Sequence, residues 1–208
     1  GDRMKIETDR ALVLSGLRFG ETLGAPITLQ VVNRDFVSWT DRMDPFGVPS
    51  GAKVTDVRPG HADLTGVLKY DRQDARDILE RSSARETTMR VAVGAVCRQL
   101  LAAVGVTVAS HVTEIGGVGV DPAAIRAEDI GVTNSNDLNC CDPSAEERIK
   151  ARIDEAKAAG DTLGGVFEIV VRDLPIGLGS HTQWDRRLDG KLAGALMSIQ
   201  AIKGVEIG

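Results

Sequence analysis

The sequence predicts an α/β chain of the α+β kind, in which short strands and amphipathic helices follow one another along one continuous stretch. Three observations carry that prediction. Apolar and polar residues alternate over short runs rich in β-branched side chains, as at 106–115, which is strand periodicity. Longer segments at 86–104 and 144–159 space their apolar residues three and four apart, which is helix periodicity. Glycine and proline mark the breaks between them. No repeat and no linker divides the 208 residues, so one domain over 1–208 is expected, large enough to bury a substantial core.

The elements follow in order. Met4 to Thr8 and Ala11 to Leu14 read as strands, and Pro26 to Val32 as another, rich in β-branched residues. Ser38 to Thr55, with Pro45, Gly47, Pro49 and Gly51, reads as loop. A short helix is expected over Arg72 to Glu80 and a longer one from about Ala84 to Val104, with Gly105 as its stop. Met89, Val93, Val96, Leu100 and Val104 form a stripe on it suited to packing against a sheet, and Cys97 is expected to be a small buried residue. Val106 to Ile115 alternates as a strand, and Gly116 to Asn139 is irregular.

Ser144 to Ala159 is an amphipathic surface helix, and Ser144 with Glu147 fits a capping box. Asp161 to Arg172 follows as a strand whose Val166, Ile169 and Val171 suit a sheet buried on at least one face. Asp185 to Ile199 is a further helix, and Ala201 to Ile207 is expected to return as a strand.

The chemistry concentrates in Arg58-Pro-Gly-His61-Ala-Asp63 and Arg81-Ser-Ser-Ala-Arg85-Glu86. Pro59 fixes its own φ and biases Arg58 toward extended backbone. Gly60 permits a conformation other residues resist. His61 is therefore delivered from a stiff turn, and histidine is the side chain best placed to exchange a proton near neutral pH. Ser83 with Glu86 fits a capping box at the entrance of the long helix. Free amides at such an entrance favour anions, and Arg81 and Arg85 flank it. Arginines in this pattern suit a phosphorylated or carboxylated ligand.

These two segments resemble the signature segments of the chorismate synthase family, and other stretches agree in the same order. They include Arg3-Met-Lys-Ile-Glu-Thr-Asp9, Leu14-Ser-Gly-Leu-Arg18-Phe-Gly20, Thr22-Leu-Gly-Ala-Pro26-Ile, Gly160-Asp-Thr-Leu-Gly164-Gly165-Val and Gly177-Leu-Gly-Ser180. Trp184-Asp-Arg-Arg-Leu-Asp189 and Ile199-Gln200-Ala-Ile-Lys-Gly204-Val-Glu-Ile207-Gly complete the set. The resemblance implies a sheet–helix–sheet sandwich and a lyase that eliminates phosphate from 5-enolpyruvylshikimate 3-phosphate to give chorismate. It implies reduced FMN as cofactor, with NADPH as a candidate reductant, and a homotetramer.

By the same resemblance, His61 matches a catalytic proton donor near the flavin. Arg58 and Arg85 match arginines of the substrate pocket. Arg81, Ser82 and Ser83 match a flavin-binding triplet, and Gln200 and Ala201 a flavin-contacting pair. Arg18 lies in a shared motif without an assigned role. The family pattern also places a second histidine in a Ser-His-Gly segment before residue 1, and a Lys-Pro segment and an active-site acid after residue 208. The chain is therefore expected to be an internal fragment. The alternatives are a core that folds and assembles without catalysis, and an anion-binding module that keeps the Arg81–Arg85 site without flavin.

Composition agrees with an enzyme core: 42% hydrophobic, 26% charged, formal net charge −5. The acidic balance argues against general nucleic-acid binding, so an anionic substrate depends on local arginines. No apolar run approaches the roughly 18 residues of a membrane span. Cys97, Cys140 and Cys141 lack metal-ligand spacing, so no metal site is expected, and a reducing cytoplasm is the expected setting. His111, with no acid near it in sequence, is read as structural or surface. Ser180, His181 and Asp185 lack a nucleophile-elbow sequence, and sequence neighbours seldom adopt triad geometry.

Overall fold

A computed structural model describes residues 8–131 and 136–208. The chain opens with four short strands: β1 (Ala11–Ser15), β2 (Leu17–Arg18), β3 (Glu21–Thr22) and β4 (Thr28–Val31). A 3₁₀ turn at Arg34–Trp39 follows, then helices α1 (Asp63–Lys69), α2 (Arg76–Leu79) and α3 (Glu86–Ala103). Next come β5 (Thr107–Ile115), β6 (Val118–Gly119), α4 (Pro143–Ala159), β7 (Gly165–Arg172) and α5 (Leu188–Met197). All strand pairs are antiparallel, which places the mixed composition in the α+β class.

The chain divides into two compact units, residues 1–96 with 180–208, and residues 97–179. In the first, β1 pairs β4 with a register shift between Val13 and Ser15, and β2–β3 forms a tight hairpin. Gly16 sits at φ +88, where an added Cβ would lie 2.6 Å from the Pro26 carbonyl oxygen, so the crossing needs glycine. The long loop after β4 is anchored rather than loose. Trp39 Nε1 donates to Asp35 (3.2 Å), and the Arg76 guanidinium stacks 4.6 Å from the Trp39 ring. Val54 then docks on α2: its N–H donates to Asp74 Oδ1 (3.0 Å), and its carbonyl accepts from the Ala75 N–H (2.8 Å). α1 approaches α2 at Gly66, whose missing Cβ would fall 2.6 Å from Ile78 Cγ2.

In the second unit the sheet runs β6-β5-β7, and β5 pairs β7 over nearly its full length. α4 covers one end of it. Cys140, Ala145 and Ile149 are buried together, with Ile115, Val118, Val120, Leu138 and Ile153 packed around them. α4 starts at Asp142, whose Oδ1 accepts from the N–H groups of Ser144 (2.8 Å) and Ala145 (3.2 Å), with Pro143 in the first turn. It ends at Gly160, left-handed at φ +68.

Several expectations are corrected. Asp142, not Ser144, caps α4: proline occupies the first helical position, so the cap lies two residues before Ser144. The long helix stops at Ala103 before left-handed Gly105, as expected, but its apolar stripe does not pack on a sheet. Val93, Leu100 and Val104 are each at least half exposed, and Ala92 is the buried residue of α3. Cys97 is exposed on the same helix. On β7, Val166, Ile169 and Val171 are exposed, because α4 reaches β6 and the end of β5 rather than this strand.

The helices over 72–80 and 185–199 shorten to Arg76–Leu79 and Leu188–Met197. Residues 202–208 find no strand partner among the described residues, so alternation there yields no strand. The strand expected at 4–8 lies outside the described residues except for Thr8. Truncating Ile149 to Ala should leave a cavity at the centre of the α4 cluster and cost about 2–5 kcal/mol. Removing the cap with Asp142→Ala should cost about 1 kcal/mol. Urea unfolding measures both, and Ile149→Ala should be the more damaging.

Candidate functional site

The Arg58–Asp63 turn is built around a buried carboxylate. Gly60 is left-handed (φ +67), which lets the chain reverse so that Arg58 and His61 both meet Asp63 at the first turn of α1. Asp63 is fully buried. Its Oδ2 accepts from the Arg58 backbone N–H (3.0 Å) and Arg58 Nε (2.9 Å). Its Oδ1 accepts from Arg58 Nη2 (3.0 Å) and lies 2.9 Å from His61 Nδ1. The Arg58 side-chain hydrogen bond holds the Asp63 carboxyl well below the ordinary carboxylate range, against the opposing push of burial. The same bond raises the Arg58 guanidinium. The His61 side chain remains one-third exposed.

From this turn the structure leads directly to the second segment. α1 packs on α2 at Ile78, and the Ile78 carbonyl accepts from the Arg81 (3.2 Å) and Ser82 (3.0 Å) N–H groups. The Ser82 hydroxyl is buried and has no hydrogen-bond partner among the described residues. Such a group is costly unless something completes it. The Ser83 carbonyl accepts from Gln200 Nε2 (3.1 Å), joining segments 117 residues apart. Ala201, next along, is held left-handed at φ +68, a strained position for a residue with a Cβ. Ser82, Ser83 and Gln200 are thus brought together, while Arg81 is exposed at their edge.

The entrance of α3 differs from a capping box. Ser83 Oγ accepts from the Arg85 N–H (3.2 Å), and Glu86 forms an ion pair with Arg90 (3.1 Å) instead of reaching back. The first amides of the helix are taken by short local bonds, Glu86 N–H to the Ser83 carbonyl (3.2 Å) and Thr87 N–H to the Ala84 carbonyl (3.1 Å). Side chains rather than these two amides are therefore what this entrance offers to a ligand. Arg85 is already bidentate to Asp9, at 2.7 and 2.6 Å, and Arg58 is committed to Asp63 through Nε and Nη2. Two of the three arginines are thus oriented by aspartates.

Sequence reasoning missed two acids. Asp63 stood inside the quoted motif without a role, although its spacing of two from His61 and five from Arg58 was visible. Glu168 was invisible: the ladder places it directly opposite His111, and Glu168 Oε2 lies 3.1 Å from buried His111 Nε2. His111 is therefore a buried, acid-paired residue of the sheet. Ser180 Oγ hydrogen-bonds Thr182 (2.9 Å) rather than His181, and His181 is exposed.

The α+β fold carries these arginines, the serines and a carboxylate-bound histidine on two helix entrances. The chain belongs to the chorismate synthase family: the family model "Chorismate synthase" matches residues 1–208. It is 55% identical to a chorismate synthase of Geobacter sulfurreducens, over all of this chain and 54% of that protein. It is 51% identical to a "Chorismate synthase 1" of Bacillus thuringiensis, over all of this chain and 55% of that protein. A crystal structure of a chorismate synthase superposes with TM-score 0.79 at 43% identity, over 99% of this chain and 57% of that one. The chain spans about half the length of the curated relatives it matches.

Because the Asp63 carboxyl is depressed in the folded state, the stability it contributes is full above the ordinary carboxylate pKa, about 3.9, and is lost as pH falls below it. Asp63→Asn should therefore be less stable than the parent chain near pH 6. The gap in melting temperature should narrow as pH falls from about 4 toward 2, because the unfolded chain's carboxyl takes up a proton there while the folded one, held lower by Arg58, stays ionised. A gap that stays constant over that range would remove Asp63 from the acid response.

Proposed function

We propose that the protein containing this chain is a chorismate synthase, eliminating phosphate and a ring hydrogen from 5-enolpyruvylshikimate 3-phosphate to give chorismate. Membership of the family over the whole chain supports the reaction. The observation that carries the site is the Gln200–Ser83 hydrogen bond. It joins the two segments that resemblance assigns to one flavin, beside a buried Ser82 hydroxyl that lacks a partner. Arg81, Ser82, Ser83, Gln200 and Ala201 would hold reduced FMN, which when bound supplies transient electron density that helps phosphate depart.

The chain's own residues then have definite tasks. When doubly protonated, His61 delivers the proton on the ring nitrogen away from Asp63 and keeps the one that faces it. Arg58 and Arg85, each oriented by an aspartate, face the phosphate and carboxylates of the substrate. The two compact units belong to one synthase domain, which the single family match across 1–208 supports. Among the described residues no helix is long and apolar enough to cross a membrane. A cytoplasmic enzyme, a homotetramer and NADPH as the source of reducing equivalents complete the reading.

The test is anaerobic turnover of 5-enolpyruvylshikimate 3-phosphate by the full-length protein with reduced FMN, alongside FMN titration. Chorismate should appear only when reduced flavin is present, and none at all would reject the proposal. His61→Ala should fold and lose turnover by roughly 10²–10⁴, the span for a general acid. Ser82→Ala should weaken FMN binding by about fivefold, since one hydrogen bond is worth about 1 kcal/mol. Unchanged FMN affinity would take Ser82 out of the flavin site.

A further inference from the structure

The carboxylate of Asp63 does more than its position in the helix requires. At the start of α1 an acidic side chain ordinarily turns toward the free N–H groups of its own helix. Asp63 turns back instead. Its hydrogen bonds run to Arg58 and His61, and the residue before it, Ala62, has no side-chain cap to offer the helix. A carboxylate has about four acceptor positions. Three go to Arg58, which by itself satisfies the charge. The fourth goes to His61 Nδ1.

That fourth contact favours one position for the histidine proton. His61 Nδ1 lies 2.9 Å from Asp63 Oδ1 and 3.1 Å from Arg58 Nη2. If Nδ1 were unprotonated, it would accept from Arg58 Nη2 at 3.1 Å, but its lone pair would also face a carboxylate oxygen at the shorter distance of 2.9 Å, a repulsive contact. If Nδ1 carries the proton, it donates to Oδ1, and Arg58 Nη2 keeps Oδ1 as its acceptor at 3.0 Å. Only the second arrangement keeps a lone pair from facing the Asp63 carboxylate. Nε2 is then the nitrogen that exchanges a proton with anything outside the turn.

We propose that Asp63 is the positioning residue for His61: it holds the imidazole proton on Nδ1, fixes the ring and leaves Nε2 as the working nitrogen. The charged groups meeting its carboxylate are Arg58 and His61, both from the turn that precedes α1. Full burial and the close approach of α1 to α2 at Gly66 and Ile78 keep the carboxylate from swinging away. Arg58 belongs to the same device, since its fork fixes the acid that fixes the histidine. This inference deepens the proposed function and rests on His61 being its proton donor.

Two measurements on the full-length protein test it. The first is ¹⁵N NMR of the histidine ring in the resting protein, with His61 assigned by comparison with His61→Ala. Neutral His61 should carry its proton on Nδ1, and a proton on Nε2 would overturn the proposal. The second is a variant cycle in turnover. Asp63→Asn keeps the shape but loses the charge, and should slow turnover about 10–100-fold, the usual cost of losing an orienting partner. In a His61→Ala background the same change should add less than about twofold, because a residue acting through His61 has nothing left to position. A full, independent loss in that background would make Asp63 merely structural and overturn the proposal. If Asp63→Asn does not fold, the NMR result on the parent protein decides. If the parent makes no chorismate, the proposed function fails, while the tautomer still judges Asp63.

Discussion

The burial of one carboxylate governs the histidine-bearing end of this chain. Asp63 is removed from water, and a buried charge survives only where donors replace the lost hydration. Arg58 and His61 supply those donors, and they can do so only because Gly60 accepts a left-handed backbone between them. The chain conformation, the direction of the arginine fork and the orientation of the imidazole are consequences of the same requirement. Replacing either neighbour would leave the acid short of partners, which couples the local fold to the chemistry proposed for it.

Beyond that turn, the first unit passes order along through contacts that are individually modest. α1 meets α2 at a glycine, α2 supplies the carbonyl that holds Ser82, and Ser83 receives Gln200 from far along the chain. Each link fixes the next, so the Ser82 hydroxyl is buried without a partner of its own. The second unit is organised differently. A capped helix lies on one end of an antiparallel sheet, with Ile149 at the centre. Its one buried histidine is paired across the ladder rather than within a turn.

The errors of sequence reading have physical causes. Helical spacing on α3 was legible, but spacing says which residues share a face and not whether anything lies against it. Val93, Leu100 and Val104 share a face and remain exposed. Likewise, the alternation at 201–207 is what a strand needs from its own residues, but a strand also needs a neighbour, and none pairs there. The two capping boxes failed for a subtler reason. Ser83 and Ser144 have the right spacing to an acid, yet Pro143 moved one cap to Asp142, and Arg90 drew Glu86 away from the other.

The sequence by itself determined the α+β class, the positions of the long helices and of β5, the need for glycine at residues 60, 105 and 160, and the motif that identifies the family. These depend on periodicity, caps and backbone conformations, which are set by residues a few positions apart. Tertiary structure decided what distant residues do to one another. It placed Gln200 on Ser83, Asp9 on Arg85 and Glu168 on His111. It also turned Asp63 from a bystander in a motif into the partner of His61. A carboxylate two residues from a histidine can point anywhere, and burial at the start of α1 is what turns it back.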